Sequence, residues 1–300
     1  MTTEYHIPVL LDESIQGLEI DPGGIYVDVT YGGGGHSRKI IEQLTTGKLI
    51  AFDQDIDAAE NLIDDERFIF VQHNFRFLKN FLEYYVIDKV DGVLADLGVS
   101  SHDFDVAERG FSFRFEGNLD MRMNQTGSLT AAKVVNEYAE ESLIKLFREY
   151  GELQNARKAA QVIVAARAQK LIQTTSELRI VLEPLVPQNM SSKFLAKVFQ
   201  ALRIEVNQEL EVLKNLLNDV YDVLKPGGRL VVISYHSLED RLVKNMIQKG
   251  SFEGDVEKDF YGNVQVKFKP VGKKMMVPSV HEIGINPRAR SAKLRIAEKV

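Results

Sequence analysis

Cysteine is absent from all 300 residues of the chain. That excludes disulfides, thiolate nucleophiles, cysteine-ligated zinc and protein-held iron–sulfur clusters. Histidine is sparse, six in all, and no two stand in an HxH or HExxH spacing suited to a metal. Carboxylate-held magnesium is left open. No apolar run approaches the ~20 residues that cross a bilayer. The opening residues, Met1-Thr2-Thr3-Glu4-Tyr5-His6, carry neither a basic nor an apolar signal region. A cytoplasmic protein without a membrane partner is expected.

The net charge of −6 speaks against a polyanionic partner only on average. From Val264 to Val300 nine basic residues face two acidic ones, and from Gly151 to Glu205 eight face four. The remainder is therefore strongly acidic. Such asymmetry directs a polyanion to chosen faces, although a solvated charged surface has the same composition.

What the chain does have is a strand pattern, Ile25–Val29, that breaks into Gly32-Gly33-Gly34-Gly35-His36-Ser37 and passes at once into a helical pattern. Glycines there let the chain turn sharply and let a ligand approach the main chain. A second strand, Lys48–Phe52, ends on Asp53, at the ~20-residue spacing where a carboxylate accepts ribose hydroxyls. The loop alone is weak evidence, since a strict GxGxxG begun at Gly32 requires glycine where Ser37 stands. Asp28 and Asp53 are also compatible with helix capping.

The first hundred residues alternate strands (25–29, 48–52, 68–71, 90–95) with helical stretches near 36–45, 56–63 and 75–85, which predicts a right-handed parallel α/β sheet. From about Phe104 to Ile204 amphipathic helices replace the alternation, at 131–138, 141–150, 157–171, 177–185 and 192–204. The reading is a discontinuous domain of residues 1–104 and 206–300 interrupted by a helical substrate-recognition subdomain, 105–205. A helix over 209–224 then stops at Lys225-Pro226-Gly227-Gly228, and strand Leu230–Ser234 and helix Leu238–Ile247 follow. Strands at 264–268 and 294–297 would close a seven-stranded sheet as an antiparallel pair.

The turn before Leu230 is typical of class I S-adenosylmethionine-dependent methyltransferases, immediately ahead of their fifth strand. With GGGGHS (32–37), DLGVSS (96–101), AERGFSFR (107–114), LDMRM (119–123), SYHSLEDR (234–241) and NPRARS (286–291), the chain resembles the ribosomal RNA small-subunit methyltransferase H family from about His6 to Glu298. The resemblance implies a Rossmann-like class I fold and S-adenosyl-L-methionine as cofactor. It implies methylation of a cytidine N4 amine in the decoding region of bacterial 16S rRNA, the free RNA or the small ribosomal subunit being the partner. It places cofactor contacts at Gly34, Gly35, His36, Asp53, Phe75 and Asp96. A family glutamine falls on Asp103, within Ser101-His102-Asp103 where many members read Ser-Pro-Gln. A carboxylate accepts but does not donate as an amide does.

A cytosine amine is a poor nucleophile because its lone pair is delocalised into the ring, so acceptors holding its N–H groups are needed. Many amino-methyltransferases supply them with an Asp/Asn-Pro-Pro-Tyr segment after strand four. Asp96-Leu97-Gly98-Val99 stands there instead, which turns attention to that loop's carbonyls and to Ser100 and Ser101. His236 is a further candidate proton acceptor. Without cysteine the chain cannot form the C6 adduct of cytosine C5 methylation. Simpler readings stand beside these: Phe75 as core, His36 as a helix cap, His236 as a packed structural histidine, and Arg109, Arg114, Arg288 and Arg290 as ion-pair partners rather than phosphate contacts. A nicotinamide-dependent oxidoreductase and a non-catalytic RNA-binding protein are the competing classes. The oligomeric state is left open, a homodimer included.

Overall fold

The central parallel strands of the sheet carry nearly unbroken apolar runs because both of their faces are covered. In β1 (Ile25–Asp28), Tyr26 points into one core and Val27 into the other. The computed structural model describes residues 8–99, 106–186, 191–253 and 266–300. It divides into two compact units, Met1–Gly98 with Leu210–Val300, and Val99–Glu209.

In the first unit, β1 pairs in parallel with β2 (Lys48–Asp53) and β4 (Val90–Asp96). β2 carries β3 (Phe68–Gln72), and β4 carries β5 (Leu224–Ser234). β7 (Lys293–Lys299) joins β5 antiparallel, and β6 (Phe268–Pro270) forms the edge. The order β3-β2-β1-β4-β5-β7-β6, with one antiparallel hairpin strand inserted beside β5, is that of a class I methyltransferase. One face buries Val27, Phe52, Val93 and Val232 beneath α3 (Leu78–Tyr84) and the helices Glu209–Val223 and Ser237–Lys249. The other buries Tyr26, Leu49, Leu94 and Val231 beneath α1 (Leu11–Leu18) and α2 (Gly35–Gln43). At Gly92 a Cβ would stand 2.8 Å from the Tyr26 ring, so the sheet is bare there to admit that ring.

The second unit is helical: α4 (Ala131–Glu137), α5 (Glu140–Glu149), α6 (Ala156–Arg167), α7 (Thr175–Leu182) and α8 (Ser191–Asn207) enclose Phe147, Ala159, Ile163, Leu178, Val198 and Leu202. Thr130 caps α4, and Thr174 with Glu177 forms a reciprocal capping box on α7. The helices 209–223 and 237–249 of the first unit are α9 and α10, and Val280–Ile285 is α11.

Four details differ from the sequence expectations. Residues 56–61 form a 3-10 turn capped by Asp55 rather than an α-helix, and Phe75–Phe77 form another ahead of α3. Pro226-Gly227-Gly228 lies within β5 as an irregularity opposite Val90 and Gly92, with Gly227 at φ 81. Of the expected strand 264–268, residues 264 and 265 lie outside the described residues; β6 runs on past that span to Pro270, which an edge strand tolerates because its N–H side need not pair. Helices α1 and α11 were not anticipated.

Candidate active site

The carboxyl ends of β1, β2 and β4 bring three aspartates to one edge of the sheet: Asp28, Asp53 and Asp96. The strand order reverses between β1 and β4, so this edge is where ligands of such sheets bind.

Asp28 lies beneath the edge, 1% exposed. Its Oδ2 accepts the Ser37 hydroxyl at 2.7 Å and its Oδ1 the Thr30 N–H at 3.0 Å. Burial raises its pKa, against the pull of those bonds. Asp28 thus fastens the glycine loop to the strand beneath it. The loop turns on Gly32 (φ 50) and Gly34 (φ 75), the latter preceding the first residue of α2. A Cβ at Gly34 would lie 2.7 Å from the Tyr31 hydroxyl, whereas one at Gly32 would meet nothing within 4 Å.

Asp53 Oδ2 accepts the Gly32 N–H at 2.8 Å and Oδ1 the Asp55 N–H at 2.9 Å. A carboxylate accepts about four hydrogen bonds, so each oxygen keeps acceptor capacity for a ribose hydroxyl. Burial pushes Asp53 up to about 6, against those two N–H bonds. Phe75, half-buried on the core, opens the turn after β3. Its neighbour Asn74 donates to the Gln54 side chain at 2.7 Å, which ties this turn to the residue after Asp53.

Asp96 keeps 16% of its side chain exposed. Its Oδ1 accepts the Tyr235 hydroxyl at 2.8 Å, and its backbone N–H is bonded to Thr30 Oγ1 at 2.7 Å. Desolvation pushes Asp96 up to about 7; the Tyr235 bond lowers it, and the charges of Asp28 and Glu239 add to the rise. His36 is buried with Nε2 3.2 Å from the Val9 carbonyl and Nδ1 3.9 Å from Asp96 Oδ2. Burial and the Asp96 charge raise the Tyr235 phenol.

The structure therefore brings Gly34, Gly35, His36, Asp53, Phe75 and Asp96 to this edge. Ser100, Ser101 and Asp103 lie outside the described residues. His236 is the N-cap of α10: its Nδ1 accepts the Glu239 N–H at 3.4 Å, while Glu239 Oε2 accepts the backbone N–H of Tyr235 and His236. Arg109 is buried, its guanidinium bonded to the carbonyls of Arg122 and Met123 and set over the Phe111 ring. Tyr235 and Glu239 were not singled out from sequence. The available signal was a tyrosine directly after the fifth strand, whose register sets Ile233 opposite Asp96.

Bare glycine backbone facing open space, a carboxylate with acceptor capacity at ribose spacing, and a second carboxyl two strands away fit a nucleoside cofactor. Comparison with known proteins agrees. The sequence pattern of the MraW methylase family matches residues 3–300. A protein of Phocaeicola vulgatus named ribosomal RNA small subunit methyltransferase H is 60% identical, over 98% of this chain and 97% of that one. Its namesake in Flavobacterium johnsoniae is 58% identical over 100% and 99%. Solved structures overlay loosely: an rRNA methylase from Streptococcus thermophilus gives a TM-score of 0.44 at 13% identity, over 98% of this chain and 99% of that one, too slight a likeness to inform the site. Such identity over the full length settles the matter: the chain belongs to the MraW methylase family, and its methyl donor is S-adenosylmethionine.

Proposed function

We propose that this chain methylates the N4 amine of a cytidine in the decoding region of 16S rRNA within the small ribosomal subunit. The names of its relatives support the RNA. The observation that carries the choice of atom is the absence of cysteine. Carbon methylation at C5 of cytosine proceeds through a thiol adduct, whereas amine methylation needs only positioning and acceptors for protons.

S-adenosylmethionine, when bound, supplies a methyl group carried on a sulfonium. Asp53 would take the ribose hydroxyls, the backbone of Gly32–Gly35 would lie against the nucleoside, and His36, Phe75 and Asp96 would complete the enclosure. Holding the amine in line contributes ~7–11 kcal/mol of barrier reduction. The loop after β4, with Ser100 and Ser101, is assigned to receive the amine N–H groups. A cytidine in a single strand or splayed from its neighbours is the form such an edge admits.

Basic side chains on each unit serve to hold the surrounding RNA. In the helical unit no acid occurs between Leu153 and Ser176, and Arg157 and Lys158 are exposed. In the sheet unit Lys273, Lys274 and Arg290 are exposed.

The test offers tritiated S-adenosylmethionine with unmethylated small subunits and with free 16S rRNA, followed by nucleoside digestion and chromatography. N4-methylcytidine from a single position is expected. Label in C5-methylcytidine, in a ribose 2′-O-methyl group or in protein would overturn the reading.

A further inference from the structure

Four elements converge on the Asp96 carboxyl. Tyr235, between β5 and α10, donates its hydroxyl to Oδ1 at 2.8 Å. His36 of α2 faces Oδ2 at 3.9 Å, beyond hydrogen-bond reach. Asp28 of β1 and Glu239 of α10 press on it with negative charge. The backbone of Asp96 is itself fixed by Thr30 Oγ1.

Tyr235 is held from two sides. Glu239 Oε2 accepts its backbone N–H at 3.0 Å, and its ring lies beside Gly98, where a Cβ would stand 3.5 Å from Cδ2. The phenol therefore occupies one oxygen of Asp96 and fixes the carboxyl plane, while the other oxygen makes no hydrogen bond to the described residues. His236 is less suited to accept a proton, because its Nδ1 already caps α10.

We propose that Tyr235 is a positioning residue for methyl transfer, holding Asp96 so that Oδ2 accepts the proton released by the substrate amine. This rests on the N4 reading above and adds to the role of Asp96 as a cofactor contact. The nitrogen lone pair forms the bond to the methyl carbon, and the carbon's former bond breaks with its electrons retained by the departing thioether. The surplus N–H proton passes to the Asp96 carboxylate. Charge balances, since one sulfonium and one carboxylate become a neutral thioether and a carboxylic acid. A carboxyl pushed up to about 7 is matched to proton acceptance at neutral pH.

The experiment measures single-turnover methylation of unmethylated small subunits at saturating S-adenosylmethionine from about pH 5.5 to 9. Wild type, Tyr235→Phe, Asp96→Asn and a protein with 3-fluorotyrosine at position 235 are compared. In parallel, carbon-13 NMR follows the Asp96 carboxyl through its titration in ligand-free protein, and calorimetry gives cofactor affinity. Wild-type rate should rise with pH to a plateau, with a midpoint at or below that of Asp96 in the ligand-free protein because the sulfonium charge favours the carboxylate.

Removing the phenol donor should move both midpoints upward by about half a unit or more and lower the plateau about tenfold, with cofactor affinity within about twofold. Fluorotyrosine, a stronger donor, should move both midpoints down. Asp96→Asn should lose the transfer step and its pH limb. The proposal is overturned if Tyr235→Phe leaves the midpoints unmoved, if its rate loss disappears at higher cofactor concentration, or if Asp96→Asn changes affinity alone. If the NMR midpoints shift while wild type labels an atom other than N4, the N4 reading fails and the Tyr235–Asp96 coupling survives it.

Discussion

The Ser37 hydroxyl donates to Asp28 Oδ2 at 2.7 Å in a fully buried setting, and this bond fastens the first turn of α2 to the end of β1. Ser37→Ala removes a donor from a carboxylate already disfavoured by burial. The cost should be ~1–3 kcal/mol at pH 8, read by urea unfolding. That bond favours the charged form of Asp28, so the cost should shrink toward pH 4 as the carboxyl takes up its proton. An equal loss at both pH values would show that Ser37 contributes packing alone.

Asp28, Asp53 and Asp96 were legible as strand-end carboxylates because a β-branched run ending on an acid before glycine or a polar turn is a strong local pattern. The parallel sheet and its antiparallel closing pair followed from the strand–helix alternation and the last strand patterns, whereas the strand order came only with the fold. The partners of these acids were not legible. Ser37 reaches Asp28 across nine residues and Tyr235 reaches Asp96 across 139, and only the folded register sets them together. Helix α1 was missed because Leu11–Leu18 is short and carries acids and a glycine, its burial being decided by Gly17 fitting against Ile296. The turn at 56–61 was misjudged because Asp55 closes a local hydrogen bond that competes with the α-helix.

Asp53→Ala should weaken S-adenosylmethionine binding by ~1.5–3 kcal/mol, the scale of hydrogen bonds to a charged group. Calorimetry reads it directly. The wild-type affinity should itself depend on pH. Asp53 is pushed up to about 6 in the ligand-free protein, and the carboxylate is the form that accepts two hydroxyls. Affinity should therefore be highest above pH 6 and fall as pH drops through it. In Asp53→Ala the part of that dependence centred near pH 6 should vanish while any contribution of Asp96 near pH 7 stays, and persistence of the whole dependence would place the ribose contact elsewhere.

Asp96→Asn should stabilise the protein while abolishing turnover. A carboxyl whose folded pKa lies above its unfolded value binds its proton more tightly when folded, so its contribution to stability declines as pH rises from about 4 to about 7. The amide has no charge to bury, and its oxygen still accepts the Tyr235 hydroxyl. The gain should be ~1–3 kcal/mol at pH 8, below the full shift because the side chain keeps contact with water. At pH 5, where only part of that decline has taken place, it should be clearly smaller, and it should approach zero only below about pH 4, where Asp96 is protonated both folded and unfolded. Chemical unfolding at the two pH values provides the check, and a destabilised variant at pH 8 would contradict it.

The glycine loop allows ligand contact to be separated from structure by two substitutions two residues apart. Gly34→Ala sets a Cβ 2.7–2.8 Å from the Tyr31 phenol, which cannot retreat because its hydroxyl is bonded to the Asn61 carbonyl and its ring packs on Phe68 and Phe70. With the cost of φ 75 added, about 2 kcal/mol or more of stability should be lost. Gly32→Ala carries only the cost of φ 50, about 1 kcal/mol, because its Cβ enters open space. If that space is where the cofactor lies, Gly32→Ala should lose about thirtyfold or more in cofactor affinity despite the smaller structural penalty. Paired thermal unfolding and calorimetry resolve the two effects. A Gly32→Ala protein that binds the cofactor like wild type would move the cofactor away from the bare face of this loop.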